Sequence, residues 1–234
     1  CLTISLSSLV NDSNLGVCIN NTCRITFFDL FTNLDQIVRG DIDWYKSIAI
    51  DGYTKEVFNL DIKNIIENKL WITQKNWAFF PAWPSIWKII SIGTMNVYIG
   101  TFLANIFFMI GVFMMGLYIK SISSSRIKFS FYSIAAFYPF SYFYSLPLPE
   151  SLFFLLYSIY IFLISSSINN KRSFYITLIS GILCGLTRQF SIFLSFFAIA
   201  EFFKLKDANK LTKENLIKII ALFLSPLIGL SIFM

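Results

Sequence analysis

Residues 96–119 run without a charge and are rich in Phe, Ile, Met and Leu, and the basic segment KSISSSRIK (120–128) closes them off. A helix that crosses a bilayer needs about 20 predominantly apolar residues, and this run supplies them. The rest of the chain agrees. Of its 234 residues 56% are apolar and only 14% charged, whereas a solvated surface needs roughly 25–35% Lys, Arg, Glu and Asp. The reading is an all-α, polytopic integral membrane protein, with a first region (1–95) outside the bilayer and a helix bundle (96–234) within it. The chain begins with Cys and ends inside an apolar run, which reads as a fragment of a longer or processed protein.

Two further apolar blocks follow, 129–165 and 174–203. Pro147, Pro149 and Glu150 interrupt the first; Thr187, Arg188 and Gln189 interrupt the second. Each half is then about 14–17 residues, or roughly 21–26 Å of helix, and each block reads as an out-and-back pair of short helices. A single long helix would bury Glu150 or Arg188 in mid-bilayer, at about 2.5–3.5 kcal/mol on insertion scales.

The charges sort by position. Residues 1–95 hold nine acids and eight bases, a net of −1, and residues 96–234 hold four acids and eleven bases, a net of +7. Nucleic-acid binding does not fit, because the bases lie in short gaps between apolar runs, the pattern of cytoplasmic loops. On that rule 120–128, 166–173 and 204–218 are cytoplasmic, and Glu150, Arg188 and everything before residue 96 lie on the opposite face. The expected site is therefore extracytoplasmic or lumenal.

The absence of His removes the Ser-His-Asp triad and every His-ligated metal centre. Cys1, Cys18, Cys23 and Cys184 have no metal spacing. Cys18 and Cys23 sit in a polar stretch, either free or bridged, near two glycosylation sequons at Asn11 and Asn20. Carboxylates can bind a divalent metal, but no ligand spacing indicates one, and no cofactor is expected. Segments 25–38 and 59–70 repeat apolar residues at three- and four-residue spacing, as amphipathic surface helices do. NWAFFPAWPSIWKIISIG (76–93) gathers Trp77, Phe79, Phe80, Trp83 and Trp87, as expected where a chain meets the headgroup layer.

Chemistry concentrates in RGDIDWYKSIAIDGY (39–53). Asp41 and Asp43 would point about 200° apart on a helix, so they would not share one task. One carboxylate can serve as a general base; the alternative is a polar loop held by local hydrogen bonds.

This segment resembles the Arg-Trp-Asp-x-x-Trp-Tyr-x-x-Ile-Ala-x-x-Gly-Tyr signature of the PIG-V-like mannosyltransferases, which belong to the GT-C superfamily of membrane glycosyltransferases. The family's Asp falls on Asp41, Gly40 replaces its Trp, and Asp43 takes a variable position. AFFPAWP (78–84) is similar to the family's Phe-Phe-Pro-Leu-Tyr-Pro. PFSYFYSLPLPESLF (139–153) matches its third segment at Pro139, Ser141, Phe143, Ser145, Glu150, Ser151, Leu152 and Phe153, with Leu148 in place of a Tyr. GLTRQF (185–190) resembles its Gly-Leu-x-Thr-Arg. The resemblance implies a GT-C-like fold and transfer of a sugar, mannose first, from a polyprenyl-phosphate donor to a glycan or glycolipid hydroxyl with inversion. It implies Asp41 as base and Arg188 at the donor phosphate, with Glu150, Asp43, Trp44 and Tyr45 as substrate contacts. Alternatives remain for each: Arg188 as a snorkelling helix-end residue, Glu150 as a helix cap, and Trp44 and Tyr45 as packing. The competing function is a transporter or a non-catalytic membrane subunit.

Overall fold

The computed structural model describes residues 17–19, 22–24, 41–53, 79–122, 131–132 and 144–233. Two compact units divide the chain, Cys1–Gly40 and Asp41–Met234. In the first, β1 (Val17–Ile19) pairs antiparallel with β2 (Thr22–Arg24), and Cys18 falls opposite Cys23. The amphipathic segments expected at 25–38 and 59–70, Trp77 and Gly40 lie outside the described residues, as do Pro139, Ser141 and Phe143 of the third motif.

The described part of the second unit is helical: α1 (Asp41–Asp51), α2 (Ala82–Ile90), α3 (Val97–Ile122), α4 (Pro149–Ser167), α5 (Lys171–Gly185), a 3-10 turn (Gln189–Phe193), α6 (Leu194–Asp207) and α7 (Lys213–Phe233). Three of these, α3, α4 and α7, are long and apolar enough to cross a membrane, which points to a lipid bilayer as the surroundings. Large apolar side chains lie open on the flanks of α3 and α7, such as Phe102, Met109 and Phe113 on α3 and Ile232 on α7, whereas α4 exposes none. At 15 and 14 residues, α5 and α6 run only about 21–23 Å at 1.5 Å per residue.

The helix breaks fall where the sequence places them. Pro149 opens α4, where its fixed φ and missing N–H cost nothing, after an extended Leu148. At the second break α5 stops at Gly185 and the chain turns through Leu186, Thr187 and an extended Arg188.

The second block runs out along α5 and back along α6, as an out-and-back pair, while most of the first half of the 129–165 block lies outside the described residues. Among the described residues α5 does not pack along α6; α5 lies against α4 and α7, and α6 lies against α7 and α4, so the four helices form a ring. Small residues set this arrangement. A Cβ on Gly185 would stand 2.7 Å from the Gly229 Cα, and one on Gly181 would collide with Ser225. Backbones approach this closely in membrane helices through small residues at four-residue spacing. Tyr160 of α4, fully buried, reaches across the ring and donates from its hydroxyl to the Leu222 carbonyl of α7 at 2.9 Å.

Candidate functional site

The chain direction of each helix sorts the bundle into two ends. α3 and α4 start at one end, α5 finishes there, α6 starts there and α7 returns to it. The opposite end collects Lys120, Lys171, Arg172, Lys204, Lys206, Lys210, Lys213 and Lys218, linked by bonds such as Lys218 Nζ to the Ile168 carbonyl (2.8 Å) and Lys204 Nζ to Ser165 (3.2 Å).

All four motif segments meet at the first end. Residues 79–87 are their hub. Phe79 packs edge-on against the buried Tyr45 (5.1 Å between centroids) and face to face with Trp44 (6.0 Å), while its carbonyl accepts the Tyr53 hydroxyl at 2.6 Å. Lys88 of α2 donates to the Ala49 carbonyl of α1 at 2.5 Å. These bonds tie the first motif to the second. The Trp83 indole N–H then reaches the Pro147 carbonyl of the third motif (2.9 Å), and the Ala82 amide reaches the Leu186 carbonyl of the fourth (3.1 Å).

Trp83 and Trp87 are wholly buried. They do not line a headgroup layer as their sequence setting had implied; both indole N–H groups are satisfied inside the protein, Trp87 on the Asn96 carbonyl at 3.0 Å. Gly100 makes room, since a Cβ there would stand 2.7 Å from the Trp87 ring and 2.8 Å from Pro147.

Glu150 and Arg188, 38 residues apart, form an ion pair between the Glu150 Oε1 and the Arg188 Nη2. The two side chains are 26% and 34% exposed, so the pair sits at the rim of the bundle end and not in its apolar middle. Glu150 occupies the first turn of α4, where the positive helix end favours an acid, and the N-cap residue Leu148 makes no side-chain hydrogen bond to that turn. Two serines neighbour the pair along the chain: Ser151, next in sequence to Glu150, and Ser191, whose amide donates to the Arg188 carbonyl at 3.1 Å. Both are fully buried, and their Oγ atoms have no hydrogen-bond partner among the described residues.

The remaining candidates divide. Asp41 is the first residue of α1, one turn before Tyr45. Asp43 is exposed on that helix and takes no part in the gathering of motifs. Tyr45 and Trp44 serve as packing against Phe79. Gly52 ends α1 in the left-handed region, φ +80°, which a side chain disfavours. Burial pushes the Tyr53 phenol up from 10.0 to about 12, so it stays a neutral donor to Phe79. Ser151 and Ser191 were not among the expected site residues; the Glu-Ser pair of the third motif was the available signal for the first. Among the described residues no three His, Cys, Asp or Glu stand together to hold a metal.

No protein-family model matches the chain, and no curated protein and no solved structure matches it.

Proposed function

We propose that this chain is part of a multi-pass membrane glycosyltransferase, most simply a mannosyltransferase, which takes its sugar from a polyprenyl phosphate on the extracytoplasmic or lumenal side. The observation that supports this most is the meeting of four motif segments, spread over residues 39–190, at one end of the bundle, with the bases gathered at the other. Packing alone would not require the ordered resemblance and the spatial gathering to coincide.

In this reading Asp41 accepts the proton of the acceptor hydroxyl as that oxygen attacks the anomeric carbon. The bond from that carbon to the phosphate oxygen breaks, and the polyprenyl phosphate leaves with an added negative charge. Arg188, oriented by Glu150, stabilises that charge; its planar fork has five N–H donors, enough to hold Glu150 and a phosphate oxygen together. Apolar helix flanks accommodate the prenyl tail.

The experiment is transfer from labelled polyprenyl-phosphate mannose in membranes carrying the protein or its Asp41→Asn variant. The expected loss is about 10²–10⁴-fold, the usual contribution of a general base. Undiminished transfer by the variant would remove Asp41 from the chemistry. Accumulation of label inside sealed vesicles with no covalent product would replace the enzyme by a transporter.

A further inference from the structure

The basic end of the bundle carries a groove that sugar transfer does not use. It lies between α6 and α7, has a volume of about 360 Å³, and is walled by Ile199, Phe202 and Phe203 on one side and Leu216, Ile220 and Phe223 on the other. Its size falls within the range of small-molecule sites, about 300–1,000 Å³. Every lining residue is apolar, and Phe203 and Ile220 are about half exposed.

What stands at the mouth of the groove identifies the occupant. Side chains three and four residues apart share a helix face. Lys206 therefore stands one turn beyond Phe202 and Phe203, Lys213 stands one turn before Leu216, and Lys210 lies in the turn that joins the helices. That turn is fixed: the Lys210 amide donates to the Leu205 carbonyl (3.0 Å), the Asn215 side chain donates to the Lys210 carbonyl (3.0 Å), and Asn209 adopts the left-handed region at φ +53°. The neighbouring bases are committed, Lys204 to Glu201 and Lys218 to Glu214. Lys206, Lys210 and Lys213 are exposed and make no ion pair among the described residues. Even with Asp207 and Glu214 counted, residues 204–218 hold five bases and two acids, a net of +3.

We infer that this groove is a binding site for one anionic phospholipid, with an acyl chain between α6 and α7 and the headgroup phosphate held by Lys206, Lys210 and Lys213. A packing helix would fill the groove without using the lysines, and a zwitterionic lipid would gain little from their charge. Basic pockets between membrane helices select anionic headgroups for this reason. The inference needs α7 to lie in a bilayer and is independent of sugar transfer.

The test uses the chain in lipid nanodiscs doped with phosphatidylglycerol or phosphatidylcholine carrying the same photoreactive acyl chain, followed by peptide mapping of the label. Phosphatidylglycerol is expected to label the peptides bearing 199–203 and 216–223 about fivefold or more above phosphatidylcholine, the scale of one lysine near an anionic surface. Salt should erode that excess. The triple variant Lys206→Gln, Lys210→Gln, Lys213→Gln changes only exposed side chains and should bring the ratio to about one. Labelling of α3 should stay constant and report an intact fold. Equal labelling by the two lipids overturns the proposal, as does an excess that survives the triple variant. A groove that neither lipid labels overturns it in favour of a protein helix, from elsewhere in the chain or from a second copy.

Discussion

Glu150 and Arg188 show what a single pair of charges does in a chain with so few. Each occupies a helix break, and at such a rim the energetics fall between two regimes. Exposed pairs contribute about 0–1 kcal/mol, while removing one partner of a buried pair costs about 3–5 kcal/mol. The partial exposure of both side chains predicts a loss of about 1–3 kcal/mol for Glu150→Ala or Arg188→Ala, with the double variant recovering part of it. Thermal unfolding in detergent, run as a double-mutant cycle, measures the coupling, and strictly additive losses would mean the pair contributes nothing. Tyr53 gives a second prediction at this scale, with a definite sign. Its raised folded pKa means that the unfolded chain ionises first as pH rises above 10. The stability it provides is complete below pH 10 and declines as pH climbs to about 12. Tyr53→Phe should cost about 1 kcal/mol at neutral pH, the usual value of one hydrogen bond, and should flatten that alkaline decline in a denaturation series.

Among the helices, close approach sets the partners. Gly185 and Gly229 let α5 and α7 touch backbone to backbone, with no flexible side chain available to yield. Gly185→Val should therefore destabilise the bundle by at least the 1–3 kcal/mol typical of overpacking, whereas Gly93→Ala meets open space and suffers only the strain of its positive φ. Comparing the two variants by unfolding in detergent separates helix packing from local backbone preference; equal losses would deny that the glycine contact holds the ring. These contacts also mark the limit of what the sequence reveals. The breaks at Pro149 and at Thr187–Gln189 are legible because proline and charge are local signals. The ring of α4, α5, α7 and α6 is not, because it depends on which small residues face one another across segments some 45 residues apart. Trp83 and Trp87 carry the same lesson for the site. An aromatic cluster beside prolines looks the same in sequence whether it meets lipid headgroups or, as here, backbone carbonyls at Pro147 and Asn96. The opposite charges of Glu150 and Arg188 were visible, but their pairing follows from the side-by-side packing of α4 and α5, which brings the start of one to the end of the other.

At the scale of the whole molecule, the segregation of charge is a statement about sidedness. One end holds the motif segments, with Lys46 and Lys88 beside them, and the other holds Lys171, Lys206, Lys210 and Lys213. Lysines near membrane helices are retained on the cytoplasmic side, so the proposed function predicts the second set there and the first set on the opposite side. Native lysines make this measurable without inserted tags. A membrane-impermeant amine reagent applied to sealed cells should modify Lys46 and leave Lys171, Lys206, Lys210 and Lys213 unreacted until the membrane is opened, with the sites read by mass spectrometry. Modification of the second set alone would invert the topology and move the proposed donor site to the cytoplasm, where the polyprenyl-phosphate reading would fail. Equal modification of both sets in sealed cells would remove the membrane from between them, and α3, α4 and α7 would then be helices of a bundle that does not span.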